Sequence, residues 1–260
     1  MRSDPWDYPE LYRIWSNGYR EDRGFYRRLA EDLGRKGDIL ELACGTGRLL
    51  PELLSGDARV IGLDYSSEQL DEARRTPRIV AARDQRRLGL LRGDMARFAF
   101  RKQFALAVVA FNSLCYLIDD ASRRRCLERI RDHLIPGGWL ALDTDNSELP
   151  VPSSPGHFEL DEVIPRYPDD DSVTRIYIAH EPVPELRAEW VRYRIVSRRG
   201  GSEQTRDIQH LIRCEPRDAL VDELRGAGFG RILVFGGFDE RPFVPGASEL
   251  LVVLARRDGI

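Results

Sequence analysis

The residues best suited to chemistry fall in one run and a few downstream corners of this 260-residue chain. The run is Asp38–Leu50, Asp-Ile-Leu-Glu-Leu-Ala-Cys-Gly-Thr-Gly-Arg-Leu-Leu. Gly45 and Gly47, one residue apart, let the backbone turn sharply and approach a ligand that a Cβ would push away. A dinucleotide fingerprint needs a third glycine three residues later, where Leu50 stands, and the Gly-Lys-Ser/Thr ending of a phosphate-binding loop is missing too. A less phosphorylated ligand fits better. Asp64 closes a second apolar run, and a carboxylate at a strand end can accept hydrogen bonds from two adjacent ribose hydroxyls. Further on come Gly93-Asp94-Met95, Asn112-Ser113-Leu114-Cys115-Tyr116 and His210.

Glu41-Leu-Ala-Cys-Gly-Thr-Gly47 resembles the first motif of the class I S-adenosylmethionine (SAM)-dependent methyltransferases. In that family the acid ends the first strand and the glycine turn packs against the methionine and ribose of the cofactor. The resemblance implies that Glu41, Ala43, Cys44, Gly45, Thr46 and Gly47 hold SAM, with Asp64 on the ribose and Tyr65 against the adenine. S-adenosylhomocysteine is then the product. Gly93-Asp94-Met95 resembles the adenine corner, where the acid accepts from the exocyclic amine and the next N–H donates to a ring nitrogen. Met95 packs on the ring face. Asn112, Ser113 and Leu114 end the fourth strand beside the transferable methyl, and Leu-Ile-Pro-Gly-Gly-Trp-Leu resembles the passage into the fifth. Related methyltransferases lay an aromatic N-terminal helix over the cofactor, which implies that Tyr12 and Trp15 touch SAM or substrate.

The elements that must position these residues can be read from apolar spacing. Ile39–Ala43, Ala58–Leu63 and Phe104–Phe111 are short buried-strand runs; a third strand lies within Arg87–Arg92. Ser66 and Gln69 form a capping box for the helix after the second strand. Asp119 or Asp120 caps a helix carrying Leu127, Ile130 and Leu134; Pro136-Gly137-Gly138 stops it, and Trp139–Leu142 begins a fifth strand. After a proline-rich crossing with a possible strand at Phe158–Val163, period-two alternation over Thr174–His180, Glu189–Val196 and Thr205–Ile212 predicts an antiparallel meander. Pro216 opens a last helix, and Phe229–Phe235 and Glu249–Ala255 form the closing strands. The expected fold is α/β: a doubly wound, Rossmann-like sheet of seven mostly parallel strands with an inserted antiparallel β-sheet. Its expected divisions are a helical lid over 1–36, a SAM-binding domain over 37–146 and 214–260, and a substrate-covering sheet over 147–213. That insertion resembles, in position, those of the sugar N,N-dimethyltransferases and glycine N-methyltransferases.

Methyl transfer from a sulfonium needs alignment and exclusion of water more than a strong base. A neutral amine acceptor needs no base, whereas an alcohol or phenol does. His210, on the last meander strand, and Tyr116 are the candidate bases; His133, near a helix end, reads as structural. Asp145-Asn146 is similar to the acid–amide pair of metal-dependent catechol O-methyltransferases, but Asn112 stands where those place another acid, so no metal is expected. A small-molecule N-methyltransferase is the favoured reading. Small-molecule O-methyl transfer, a non-catalytic SAM sensor and a dinucleotide oxidoreductase are the alternatives. Net charge is −3 and the arginine groups lack interleaved aromatics, which argues against nucleic acid. No apolar run reaches the roughly 18 residues of a membrane span. With no signal-peptide core near Arg2, Asp4 and Asp7, and four cysteines without CxxC spacing, a cytoplasmic monomer or homodimer is expected.

Overall fold

The computed structural model describes residues 12, 16, 18–75, 86–149, 157–167, 170–199 and 201–259, with backbone only at 162–167, 170–172 and 199. Five parallel strands form its centre: β1 (Ile39–Leu42), β2 (Val60–Asp64), β3 (Leu88–Arg92), β4 (Phe104–Val109) and β5 (Leu134–Asp145). The large sheet also takes in β10 (Phe229–Phe235) and β11 (Leu250–Arg257), in the order β10-β11-β5-β4-β1-β2-β3, with β11 antiparallel to both neighbours. Every residue of β1 and β4 is buried, as the uninterrupted apolar runs predict for strands covered on both faces.

Successive side chains on these strands enter opposite layers. Leu40, Leu42, Ala107 and Val109 pack under α4 (Asp120–His133) and α5 (Arg217–Gly226) through Leu127, Ile130, Leu220 and Leu224. Ile39, Leu106 and Val108 face α1 (Arg23–Leu33) and α2 (Leu50–Leu53) through Phe25, Tyr26, Leu50 and Leu53. Each fully buried Leu or Phe contributes about 1.5–3 kcal/mol, so the two layers hold the central strands rigidly. From β1 the chain steps outward to β2 and, after α3 (Ser67–Arg75), to β3, then returns to lay β4 on the other side of β1. The loops after β1 and β4 therefore flank the topological switch point, where ligands enter such sheets.

β6 (Glu159–Tyr167), β7 (Asp170–Val183), β8 (Ala188–Arg199) and β9 (Ser202–Arg213) form a separate antiparallel sheet in sequence order. Its strands outrun the alternating segments seen in the sequence, because pairing extends into charged ends such as Arg198–Glu203. The fold class is thus the one expected from sequence. Most strand ends shift by a few residues; β4, for one, stops at Val109 rather than Phe111, and the α4–β5 boundary differs in kind. Pro136-Gly137-Gly138 does not end α4; β5 begins at Leu134 immediately after it, and the Pro-Gly-Gly stretch is a bulge within the strand. Phe104 pairs with Leu134 and Leu106 with Trp139, so three extra residues are looped out. Only glycine fits at 138, where a Cβ would lie 2.9 Å from the Ile135 carbonyl oxygen.

Candidate active site

Both switch-point loops leave their strands in the left-handed region. Ala43, Gly45 and Gly47 have φ of 54°, 53° and 79° after β1; Phe111 and Asn112 have 55° and 57° after β4. Such angles cost non-glycine residues roughly 1–3 kcal/mol each and persist only where neighbours over-determine them. Here carboxylates supply the constraint. Gly45 N–H and Ser66 N–H donate to the two oxygens of Asp64 at 2.8 and 2.9 Å. Phe111 N–H and Asn112 N–H donate to Asp143 Oδ2 at 2.8 and 3.4 Å, while Tyr26 Oη donates to Oδ1 at 2.5 Å.

Two cavities open beside these loops. The smaller, about 370 Å³, is lined by Ala43, Gly45, Leu63, Asp64, Tyr65, Ser66, Gly93, Asp94, Met95, Ser113 and Leu117. The larger, about 530 Å³, lies between the β4 and β5 loops and the antiparallel sheet. It holds Tyr19, Asn112, Cys115, Asp143, Asp145, Asp161, His180, Glu189, Tyr193 and His210 among apolar side chains. Tyr12 and Tyr116 line both.

Of the residues predicted from sequence, Tyr12, Ala43, Gly45, Asp64, Tyr65, Asp94, Met95, Ser113 and Tyr116 line the smaller cavity. Tyr116 and His210 meet at 5.4 Å between ring centroids in the larger one, which also takes Asn112. Trp15 lies outside the described residues. Cys44, Thr46 and Leu114 are buried behind the walls, and Gly47 forms the turn without lining either cavity. Glu41 lies within β1; its Oε2 is buried with no hydrogen-bond partner, and burial pushes the acid up to about 8 despite the nearby Arg48. Arg48 itself is held in a two-pronged ion pair with fully buried Asp22, at 2.8 and 2.6 Å. The capping box is half formed: Gln69 N–H donates to Ser66 Oγ at 3.2 Å, while the Gln69 amide is buried without a partner.

His133 is structural, as its position predicted: Phe100 N–H donates to Nε2 at 2.9 Å, and Nδ1 meets the Arg129 carbonyl at 2.7 Å. Asn146 is likewise occupied, its amide donating to the Ser248 carbonyl at 2.8 Å and accepting from Glu148 N–H at 3.1 Å. Asp145 instead accepts from Asn112 Nδ2 at 2.8 Å.

The larger cavity brings Asp145, weighed from sequence only as a metal ligand, together with Asp143, Asp161 and Glu189, which sequence reasoning missed. Asp145 and Asp161 have accessible surface facing the cavity, yet surrounding protein raises both carboxyls through desolvation; His180 opposes the rise in each. Asp143 is pushed up to about 7 by burial. Burial, followed by the charge of His180, lowers His210 to about 4, so its imidazole is neutral at physiological pH. Its Nδ1 is buried without a partner. His180 Nδ1 stands 3.2 Å from Glu189 Oε1. One signal was present in the sequence: His180 alternates with Ile178, Glu189 with Val191 and Tyr193, and His210 with Ile212. These polar residues thus share the inward period-two face of their strands.

Residues 39–138 match the family model described as a methyltransferase domain, so the resemblance carried by the motifs is borne out over that segment. The chain is 31% identical over 143 residues to dTDP-3-amino-3,6-dideoxy-alpha-D-glucopyranose N,N-dimethyltransferase of Streptomyces fradiae, covering 52% of this chain and 51% of that protein. The chain spans about half the length of the curated relatives it matches. Its fold is similar to that of an S-adenosylmethionine-dependent methyltransferase from Clostridium acetobutylicum (TM-score 0.78, 20% identity, 97% and 98% of the two chains). It is also similar to SAM-bound CalS10, an amino pentose methyltransferase from Micromonospora echinaspora (TM-score 0.73, 18% identity, 95% and 97%).

Proposed function

We propose that the chain transfers a methyl group from SAM to the nitrogen of a small-molecule amine. The observation that carries this is the pair of adjoining cavities: a glycine-floored hollow with two carboxylates, sharing Tyr12 and Tyr116 with an acid-rich chamber. The smaller cavity fits SAM. A Cβ on Gly45 would press within 3.3 Å of the Tyr12 ring, so the turn is kept open by its glycine. Asp64 suits the ribose hydroxyls; Asp94, with Tyr65 and Met95, suits adenine. When bound, SAM supplies a methyl on a sulfonium, already activated for displacement. The protein then orients the acceptor where the two cavities meet, beside Tyr12 and Tyr116, and keeps water out.

The open 530 Å³ chamber favours an enzyme over a SAM sensor, whose own side chains would fill that space. Its carboxylates favour an amine over a phenol or alcohol, because they stabilise positive charge and oppose an oxyanion. On this reading residues 1–36 form a lid, 37–146 and 214–260 bind the cofactor, and 147–213 cover the acceptor. A net charge of −3 accords with a cytoplasmic monomer or homodimer that does not bind nucleic acid. Among the described residues no helix is long and apolar enough to cross a membrane.

Calorimetry with SAM and NAD tests the cofactor; SAM binding with NAD ignored is expected, and the reverse refutes the reading. Release of S-adenosylhomocysteine, measured over a panel of amines and matched phenols, then tests the acceptor. Dimethylation of dTDP-3-amino-3,6-dideoxy-alpha-D-glucopyranose, named for the Streptomyces fradiae relative, belongs in that panel.

A further inference from the structure

His180, on β7, shares the lining of the larger chamber with its other titratable groups. Asp145 comes to it from the end of β5, Asp161 from β6, Glu189 and Tyr193 from β8, and His210 from β9; Tyr116 lies beyond His210. Glu189 touches His180 at 3.2 Å, and Asp145, Asp161 and His210 all lie within electrostatic reach of its imidazole. Contact of Nδ1 with a carboxylate selects the tautomer in which Nδ1–H donates, leaving the Nε2 lone pair as acceptor. Asp145 is steadied by Asn112 and opens onto the chamber, as does Asp161. His210 is packed edge-on between Tyr116 and Tyr193, both at 5.4 Å, in surroundings too dry to keep a positive charge. The imidazole oriented by a carboxylate partner, rather than the one chosen from sequence, presents Nε2 as the acceptor.

We propose that the acceptor enters as an ammonium ion bound between Asp145 and Asp161, and that His180, oriented by Glu189, removes its proton. The proposal rests on the methyltransferase reading above. The ammonium N–H bond breaks and its proton goes to His180 Nε2, leaving the electron pair on nitrogen. That pair forms the new N–C bond as the C–S bond breaks, and the sulfur keeps its pair in S-adenosylhomocysteine. The methylated ammonium carries the positive charge away, and the proton on His180 returns to solvent. His210 stays neutral and shapes the wall beside Tyr116.

The test uses the full chain with 3-amino-3-deoxyglucose and glucose as probes. Calorimetry with S-adenosylhomocysteine bound should show the amine binding at least about tenfold tighter than the alcohol at pH 7.5, a preference lost in the Asp145→Asn/Asp161→Asn variant. Rates of S-adenosylhomocysteine formation from the amine, followed from pH 6 to 10, then separate the histidines. His180→Gln should lose about 10²-fold at pH 7 and recover as pH passes the amine's own pKa, where solvent has already taken the proton. Glu189→Gln should show the same shape with a smaller loss, and His210→Gln a loss independent of pH. SAM affinity unchanged in all three shows that each variant is folded. Equal binding of amine and alcohol, no turnover of the amine at any pH, or a loss in His180→Gln that is uniform with pH each overturns the proposal. Failure of the wild-type chain to bind SAM sinks the underlying reading instead.

Discussion

Glu41 and Asp143 hold protons that ordinary carboxylates shed, with values of about 8 and about 7 raised chiefly by burial. An acid raised in the folded chain binds its proton more tightly there than when unfolded, so its stabilising contribution is lost as pH climbs through the folded value. His210 acts oppositely, since an imidazole lowered to about 4 favours folding as pH rises toward 6.5. From pH 6.5 up to about 7 the two acids therefore dominate, and from there to about 8 Glu41 alone carries the decline. The urea midpoint of the ligand-free chain should decline across that window, and Glu41→Gln should flatten the decline. A variant that keeps the wild-type slope contradicts the assignment. At the cofactor hollow, Asp64→Ala should weaken SAM binding by about 1–3 kcal/mol, through loss of its hydrogen bonds to the bound ligand and to Gly45 and Ser66 N–H. Gly45→Val should weaken it comparably, because a side chain at φ 53° is strained and meets Tyr12. Calorimetric affinities unchanged in both would refute the pocket.

Buried Arg213 helps to fasten the antiparallel sheet to the half built on the large sheet, beside Arg187, which also reaches Asp120. Arg213, at the end of β9, donates to Glu215 at 2.6 Å, to the Ile118 carbonyl at 2.7 Å and to Asp120 at the start of α4 at 2.7 Å. Arg213→Ala leaves Glu215 buried without its closest partner and should cost about 3–5 kcal/mol, measured by urea unfolding. A loss below 1 kcal/mol would mean the network adds nothing to the docking. The elements of the central sheet were legible because uninterrupted apolar runs, glycines and caps are local signals: Phe229–Phe235 is observed with the predicted bounds, and Asp119 caps α4 by accepting from Ser122 N–H at 2.8 Å. The Pro-Gly-Gly bulge was misread because its glycines signal a turn equally well, and only pairing with β4 reveals a strand. His180 and Glu189 were not recognised as a site because strands paired across a sheet, not neighbours in the chain, bring them to Asp145.

For the whole molecule, ligand binding and stability are linked. SAM at about 100 times its dissociation constant should add about 2.7 kcal/mol to the unfolding free energy. Since each kcal/mol moves the midpoint of a chain this size by about 2–4 °C, a thermal shift of several degrees is expected, with none for NAD. A shift with NAD alone would favour the oxidoreductase reading.

The two cavities meet only through a pair of tyrosines among the described lining residues. On the proposed function, substitutions on β7, β8 or β9 redraw acceptor selectivity without disturbing the loops after β1, β2 and β3. Descendants of this architecture can diversify in what they modify while inheriting an unaltered donor half, with evolutionary change confined to one side of two aromatic rings.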